Sequence, residues 1–170
     1  MLKNLVSTFR VMFPIASYDE CDSTCERKKL IVNDILETIT ALDEKKRKDI
    51  ANTLALREAK GSTGLGKGVA IPHARTESIE KPVIILGVAP AGLDWDAQDG
   101  EKVFLIFLVL VPVEQSELYL KIVTRLSTLV RSDGFVDSLI KCKSQEEVID
   151  KIHDCELQIK VKTVEFLSSE

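Results

Sequence analysis

The hydrophobic positions of this 170-residue chain change their spacing twice along its length. In the first third, apolar residues recur three and four positions apart over residues 27–42 and again after Asp43, which predicts two helices, the second capped by Asp43 and ending near Ala59. The middle third holds apolar runs at 69–71, 83–89 and 103–111, which predict buried strands. Helical spacing then returns and predicts three more helices, over residues 118–129, over residues 135–141 and after Ser144.

This order of elements predicts an α/β domain in which helices cover both faces of a central sheet, because continuous apolar runs are typical of strands buried on two sides. Residues 1–25 lack a clear period and are interpreted as an N-terminal extension. Residues 26–156 form the predicted domain. Beyond it, residues 157–170 are interpreted as a C-terminal tail; its alternating apolar and polar positions are compatible with a strand or with an ordered tail.

The composition excludes several classes of protein. The formal net charge is −4 and the isoelectric point is near 5.4, so the chain lacks the basic surface that a nucleic-acid-binding protein needs. Its longest apolar run is too short for a membrane span of about 20 residues, and no secretory cleavage pattern follows the N-terminus. We therefore predict a cytoplasmic protein with no membrane insertion.

Four cysteines offer a candidate for metal binding. Cys21, Cys25, Cys142 and Cys155 are interpreted first as reduced thiols of a cytoplasmic protein. The alternative is a metal site made of Cys21, Cys25, His153 and Cys155, but a single C-x3-C followed by H-x-C is a weak signal. The expected metal content is therefore none.

The segment 57–75 holds the most informative group of residues. Four glycines within eight positions allow a backbone to approach an anion closely. Ser62 and Thr63 add two hydroxyls, and Arg57 adds a guanidinium that matches phosphate oxygens. His73 adds an imidazole that can act as a nucleophile. Together these groups predict a phosphoryl-transfer site.

Other interpretations of the same segment remain open. Residues 61–67 match most of the nucleotide-binding pattern G-x-x-x-x-G-K-[ST], but Gly68 stands where the hydroxyl is required, and a helix precedes the turn where a strand is required. His73 taken alone is compatible with an ordinary loop histidine. Arg57 is compatible with a surface ion pair to Glu58, and the two hydroxyls are compatible with turn residues.

The run R-E-x-x-G-S-T-G-x-G-x-G-x-A-I-P-H, here residues 57–73, resembles the signature of the enzyme IIA domains of the bacterial phosphoenolpyruvate-dependent phosphotransferase system. The subclass is the fructose, mannitol and nitrogen-regulatory one. Residues 95–100 resemble the loop before this family's long buried strand, and residues 108–112 resemble the end of that strand. The resemblance covers about residues 27–156. It implies a mixed central sheet of about five strands sandwiched between helices.

The resemblance also implies roles for individual residues. His73 matches the phosphorylated histidine, Arg57 the active-site arginine, and Ser62 with Thr63 the phosphate-binding pair of the loop. Tyr119 stands where the family commonly has a second histidine. Tyrosine can donate a hydrogen bond to a phosphoryl oxygen, but it cannot carry the positive charge of an imidazolium.

The implied function is that of a phosphocarrier. An HPr-like phosphocarrier protein would give the phosphoryl group of its phosphohistidine to His73, which would pass it to a IIB domain without a cofactor. The alternative is a nitrogen-type regulatory module whose phosphorylation state controls partner proteins, and the absence of an attached transporter segment mildly favours it.

Overall fold

The computed structural model describes residues 8–16, 18 and 20–168, and for residues 8 and 159–168 it describes the backbone alone. Six strands and five helices occur in this part of the chain. Their order is β1 Thr8–Met12, α1 Thr24–Glu37, α2 Glu44–Glu58, β2 Gly64–Gly66, β3 Val69–Ala70, β4 His73–Thr76, β5 Val83–Leu93, β6 Val103–Pro112, α3 Ser116–Val130, α4 Phe135–Ile140 and α5 Gln145–Ser168.

All six strands belong to one mixed sheet, in the order β1-β5-β6-β3-β2, with β4 also beside β6. The long strands β5 and β6 pair antiparallel and form its centre. β1 runs parallel to β5, and β3 and β4 both run parallel to β6. The predicted mixed sheet between helices is therefore confirmed.

The two faces of the sheet bury separate hydrophobic cores. Alternate residues of β5 and β6 point to opposite faces, as the period of a strand requires. One core combines Ile85, Ile106 and Leu108 with residues of α1 and α2, and we call these two helices the N-terminal layer. The other combines Leu86 and Phe107 with residues of α3, α4 and α5, which we call the C-terminal layer. Burial on both faces explains why these strands read as continuous apolar runs.

Several predicted helix ends are observed. Asp43 caps α2 and accepts a hydrogen bond from the backbone N–H of Lys46 at 2.8 Å. At the start of α5, the Ser144 hydroxyl accepts from the N–H of Glu147 at 3.2 Å, as the capping box predicts. The helix predicted for residues 27–42 instead spans Thr24–Glu37, because Ser23 provides its N-cap and accepts from the Glu26 N–H.

Both ends of the chain differ from the predictions. The interpretation of residues 1–25 as an extension misses β1, which pairs with β5 along its whole length and buries Val11. Residues 1–7, 17 and 19 of that extension lie outside the described residues. The strand considered for the tail is wrong, because α5 continues as one helix to Ser168. The apolar residues 157, 159 and 161 alternate over too short a stretch to distinguish a strand from the end of a helix.

Candidate functional site

The apolar run at 69–71 predicts a strand that ends before His73, whereas in the structure His73 itself begins a further strand, β4. Strands β3 and β4 lie in line beside β6, with Ala70 opposite Ile106 and His73 opposite Val109. Pro72 separates the two strands, but its carbonyl still accepts the Val109 N–H at 2.9 Å, so the ladder continues across the break. The backbone that carries the half-buried imidazole is therefore fixed by its pairing with β6 at the centre of the sheet.

The backbone before His73 also sets the orientation of its ring. The Ile71 N–H donates to the Thr63 carbonyl at 3.0 Å, on the side of the strand that faces away from β6. The Ile71 carbonyl lies 2.7 Å from His73 Nδ1. One ring nitrogen of His73 is thus held by a backbone atom.

Arg57 fixes the other ring nitrogen. Its Nε lies 3.0 Å from His73 Nε2, and its Nη1 donates to the Gly61 carbonyl at 3.0 Å. A guanidinium can only donate, so Nε2 must be the acceptor and Nδ1 must carry the proton that goes to Ile71. The contacts therefore select the neutral tautomer in which the lone pair is on Nε2.

The surroundings favour this neutral form. Burial lowers the pKa of His73 below 6.5, and the positive charge of Arg57 lowers it further. The hydrogen bond to the Ile71 carbonyl and the charge of Glu58 act in the opposite direction and offset part of this shift. Neutral imidazole is the form that can act as a nucleophile.

The Ser62 and Thr63 hydroxyls are engaged with their own neighbours. Ser62 Oγ lies 3.0 Å from the Trp95 carbonyl and 3.3 Å from Glu58 Oε1, and it accepts from the Gly64 N–H at 3.1 Å. Thr63 is buried, and its Oγ1 accepts from Trp95 Nε1 at 3.3 Å. Within the described part of the chain, no hydrogen bond joins either hydroxyl to His73. The structure thus brings Arg57 to His73 and uses the Ser-Thr pair to bind the turn to Trp95.

The glycine turn and the loop at 95–100 pack against each other. A Cβ on Gly64 would lie 2.8 Å from the Ala97 Cα, so glycine is required for this approach. The Gly64 carbonyl accepts the Gln98 N–H at 3.2 Å. The two segments that carry the sequence resemblance are therefore one structural unit.

Glu58 and Lys28 are site neighbours whose roles the sequence pattern does not reveal. Glu58 ends α2 and accepts the Thr63 N–H on both carboxylate oxygens, at 3.2 and 3.1 Å. Lys28, from α1, donates to Glu58 Oε1 at 2.8 Å. Burial alone would raise the pKa of Glu58, but the hydrogen bonds from Lys28 and Thr63 outweigh it and leave this pKa below its ordinary value. Lys28 is 30 positions from Glu58, so no local spacing could have indicated the pair.

Tyr119, which stands where the resembled family commonly has a second histidine, lies beside the His73 ring. The two ring centroids are 5.6 Å apart and the planes are tilted by 53°. Burial raises the pKa of Tyr119, and the charges of Arg57 and Arg75 offset part of this rise, so the hydroxyl stays protonated near neutral pH. Arg75 is exposed, and its guanidinium is held by the Ser116 hydroxyl at 2.9 Å.

The structure does not support the alternative chemistries. In the part of the chain that the structure describes, no group of three or more His, Cys, Asp or Glu side chains is arranged to hold a metal ion. The turn at 61–68 follows a helix and leads into strands, which is the reverse of the nucleotide-binding order. Among the described helices, none has the length and apolar character of a membrane span.

A family model matches most of this chain. It is described as "Phosphoenolpyruvate-dependent sugar phosphotransferase system, EIIA 2" and matches residues 20–155. The matched residues include both the 57–73 signature and the 95–100 loop.

Curated relatives include components of the fructose phosphotransferase system and nitrogen regulatory proteins. The chain is 33% identical over 125 residues to the fructose-specific EIIABC component of Bacillus subtilis, a match covering 71% of this chain and 20% of that protein. It is 33% identical over 99 residues to the fructose-specific EIIA component of Haloferax volcanii, covering 58% of this chain and 64% of that protein. It is also 30% identical over 128 residues to the nitrogen regulatory protein of Pseudomonas aeruginosa, covering 75% and 83%.

Solved structures of IIA proteins share the fold of this chain. The nitrogen regulatory protein IIA-Ntr of Neisseria meningitidis superposes with a TM-score of 0.66 at 29% identity, covering 86% of this chain and 93% of that one. IIA mannitol of Escherichia coli superposes with a TM-score of 0.63 over 84% of this chain and 94% of its own, and at 15% identity it shares the fold alone. With the family model matching residues 20–155, the chain belongs to the EIIA 2 family of the phosphoenolpyruvate-dependent sugar phosphotransferase system.

Proposed function

We propose that this protein is a phosphocarrier that accepts a phosphoryl group on Nε2 of His73. The donor is the phosphohistidine of an HPr-like carrier protein, and the acceptor is a IIB domain. One observation carries the proposal: both nitrogens of His73 are engaged, with Nδ1 on the Ile71 carbonyl at 2.7 Å and Nε2 on Arg57 at 3.0 Å. This arrangement supports a single reactive lone pair, on Nε2.

The transfer is a displacement at phosphorus. The Nε2 lone pair of His73 forms the new P–N bond as the P–N bond of the donor breaks, and the electron pair of the broken bond stays on the donor imidazole. The Nδ1 proton stays in its hydrogen bond, so the Ile71 carbonyl stabilises the positive charge that the His73 ring acquires. The same charge makes the phosphorylated ring a good leaving group for the second transfer.

Arg57 has two roles in this proposal. Before transfer it holds the imidazole in the reactive tautomer. During transfer its N–H groups leave Nε2 and donate to the phosphoryl oxygens, on which charge is spread in a loose transition state. Ser62 and Thr63 would have to give up their bonds to Trp95 and Glu58 to contact these oxygens, so we assign them first to the shape of the turn.

The proposed partners follow from the relatives. Those named as fructose-specific components of the phosphotransferase system support a role in sugar uptake. A IIA mannitol protein of Escherichia coli, which shares the fold, is known in complex with phosphorylated IIB mannitol. A cytoplasmic location is supported by four free cysteines, which are typical of a reducing compartment.

Incubation with phosphoenolpyruvate, the general phosphotransferase enzyme and an HPr-like carrier tests the proposal. Mass spectrometry is expected to show one added phosphoryl group, located on His73 by peptide mapping under alkaline conditions. The His73→Gln variant should remain unlabelled and folded, whereas His153→Gln, the matched control at the other histidine, should be labelled as the wild type is. Labelling of His73→Gln at the wild-type level would refute the assignment.

A second function is a regulatory one, and similarity to the nitrogen regulatory proteins of Pseudomonas aeruginosa and Neisseria meningitidis favours it. In that case the phosphoryl group on His73 is a signal, and its roughly two negative charges near neutral pH decide which partner surface binds. Affinity capture with the phosphorylated and unphosphorylated forms separates the two functions. A partner that is neither carrier nor IIB, and that binds one form alone, supports regulation.

A further inference from the structure

We propose that Lys28 and Glu58 are positioning residues for phosphoryl transfer, acting through the turn at 61–63 on the Arg57 guanidinium. This inference rests on the proposed function of His73 and extends it to a residue of α1, 45 positions upstream of the histidine.

The Glu58 carboxylate is the centre of this arrangement. It accepts the Thr63 N–H, lies 3.3 Å from Ser62 Oγ, and pairs with Lys28 Nζ at 2.8 Å. Both partners of the ion pair are largely buried, with side-chain exposures of 10% for Lys28 and 18% for Glu58. Lys28 Nζ also lies 3.4 Å from Asp96 and 5.6 Å from the centre of the Trp95 ring.

A carboxylate at this place needs a cation. Glu58 is the last residue of α2, where the partial negative charge of the helix end disfavours another negative charge. A buried carboxylate without a partner would also lose hydration and would tend to take up a proton. Lys28, together with the hydrogen bonds from Thr63, offsets these penalties, so Glu58 stays ionised and can hold the turn.

The turn at 61–63 also holds Arg57. The Gly61 carbonyl, one residue before Ser62, accepts from Arg57 Nη1, and Gly61 N–H donates to the Glu58 carbonyl at 3.0 Å. With Nη1 on Gly61, the guanidinium is oriented so that Nε meets His73 Nε2. If Glu58 releases the 61–63 turn, the Gly61 carbonyl moves, and Arg57 loses one of the two contacts that orient it.

Transfer kinetics with Glu58→Gln and Lys28→Met test the role. We expect kcat for labelling by the phosphorylated carrier to fall about tenfold to a hundredfold in each variant, the range for a site group displaced by about 1 Å. The KM for the carrier should stay near the wild-type value, because neither side chain belongs to the exposed surface. Lys28→Arg keeps the cation and should recover most of the rate. The double variant should be little slower than either single one, because both changes break the same pair.

Two controls separate positioning from general stabilisation. Arg125→Met breaks the Arg125–Glu156 pair, whose carboxylate is buried, and should lower thermal stability while leaving kcat unchanged. Lys48→Met breaks an exposed pair on α2 and should change neither quantity. If Lys28→Met and Arg125→Met lose stability alike and both keep the wild-type kcat, the Lys28–Glu58 pair is structural and the inference is wrong.

A second readout needs no partner protein. The nitrogen chemical shifts of His73 report which ring nitrogen is protonated, and we expect the Nδ1-protonated tautomer in the wild type and a mixture in Glu58→Gln and Lys28→Met. An unchanged tautomer in both variants would overturn the inference even if the chain were never phosphorylated. Absent labelling of the wild-type His73 with a changed tautomer in the variants would instead refute the proposed function and keep the positioning role.

Discussion

Among the residues whose side chains the structure describes, each helical layer holds an ion pair with a largely buried carboxylate, Lys28–Glu58 in the N-terminal layer and Arg125–Glu156 in the C-terminal layer. In the N-terminal layer, Glu58 pairs with Lys28 at 2.8 Å and also binds the backbone of the 61–63 turn. In the C-terminal layer, Glu156 pairs with Arg125 at 3.0 Å and joins α5 to α3. Glu156 is the more buried of the two carboxylates, with 3% of its side chain exposed against 18% for Glu58.

The comparison teaches that burial of an ion pair does not by itself indicate a site. Buried pairs contribute little to net stability because desolvation cancels much of their attraction, but removal of one partner is costly. What distinguishes the Lys28–Glu58 pair is its attachment to the turn that orients Arg57. The following predictions contrast the two layers, and they run from the largest effect to the smallest.

Arg57 and Arg125 should differ most. We expect Arg57→Gln to slow phosphoryl acceptance by about a hundredfold to a thousandfold, because the change removes a preorganised donor to the developing phosphoryl charge. Arg125→Gln, the same change in the C-terminal layer, should leave the rate unaltered. Rapid-quench labelling measures both, and equal rates for the two variants would remove Arg57 from the mechanism.

Core truncation should show that the two layers are equivalent for stability. Ile50 of α2 and Leu126 of α3 are both fully buried. Ile50→Ala and Leu126→Ala should each lower the free energy of unfolding by about 3 kcal/mol, since each leaves a cavity in a packed core. Urea denaturation followed by circular dichroism gives both values. A much smaller loss in one layer would mean that its helices contribute little to the folded state.

Acid should inhibit phosphoryl transfer to His73. The pKa of His73 lies below 6.5, so its nucleophilic form persists to lower pH than that of an exposed histidine and disappears as the pH falls through this lowered value. Below the midpoint of the pH–rate profile the rate should fall about tenfold per pH unit, because the fraction of neutral imidazole falls by that factor. Removal of the Arg57 charge should move the midpoint upward. A rate profile with a midpoint above 6.5 in the wild type would contradict the burial argument.

Tyr119 should give the smallest effect. Tyr119→Phe keeps the ring beside His73 and removes a hydroxyl that can donate one neutral hydrogen bond to a phosphoryl oxygen. We expect a rate loss of about twofold to fivefold, the value of one such bond. Tyr119→His is a second variant to measure, because it introduces the histidine that the family commonly has at this position. If neither change alters labelling kinetics, this position on α3 does not contact the phosphoryl group.

The fold was largely predictable, because the helices of both layers give a periodic pattern of apolar residues in the sequence. Strands β5 and β6 appear as apolar runs, and α2 is recognisable from Asp43 to its end. The short strands β2 and β4 give no such pattern, since three or four residues cannot establish a period. β1 is only five residues long, and its place in the sheet is set by pairing with β5.

The site was predictable only in part, and the reason is physical. Arg57 and His73 lie in one short motif, and the structure places them 3.0 Å apart. Ser62 and Thr63 were predicted as phosphate ligands from their hydroxyls, but Trp95 and Glu58 compete for those hydroxyls. Lys28 could not have been found, because its contact with Glu58 depends on how α1 packs beside α2. Sequence spacing shows which groups share a loop, whereas packing decides which of those groups can contact a phosphoryl group.

The proline between β3 and β4 has a consequence for how this chain tolerates changes in length. Residues 69–70 and 73–74 pair with β6 in the same register, so the number of residues between 70 and 73 fixes the position of the imidazole along β6. Deleting or inserting one residue there would turn every later side chain to the opposite face. His73 would then point into the N-terminal core. A deletion would put Ala74 in the place of the nucleophile, and an insertion would put Pro72 there.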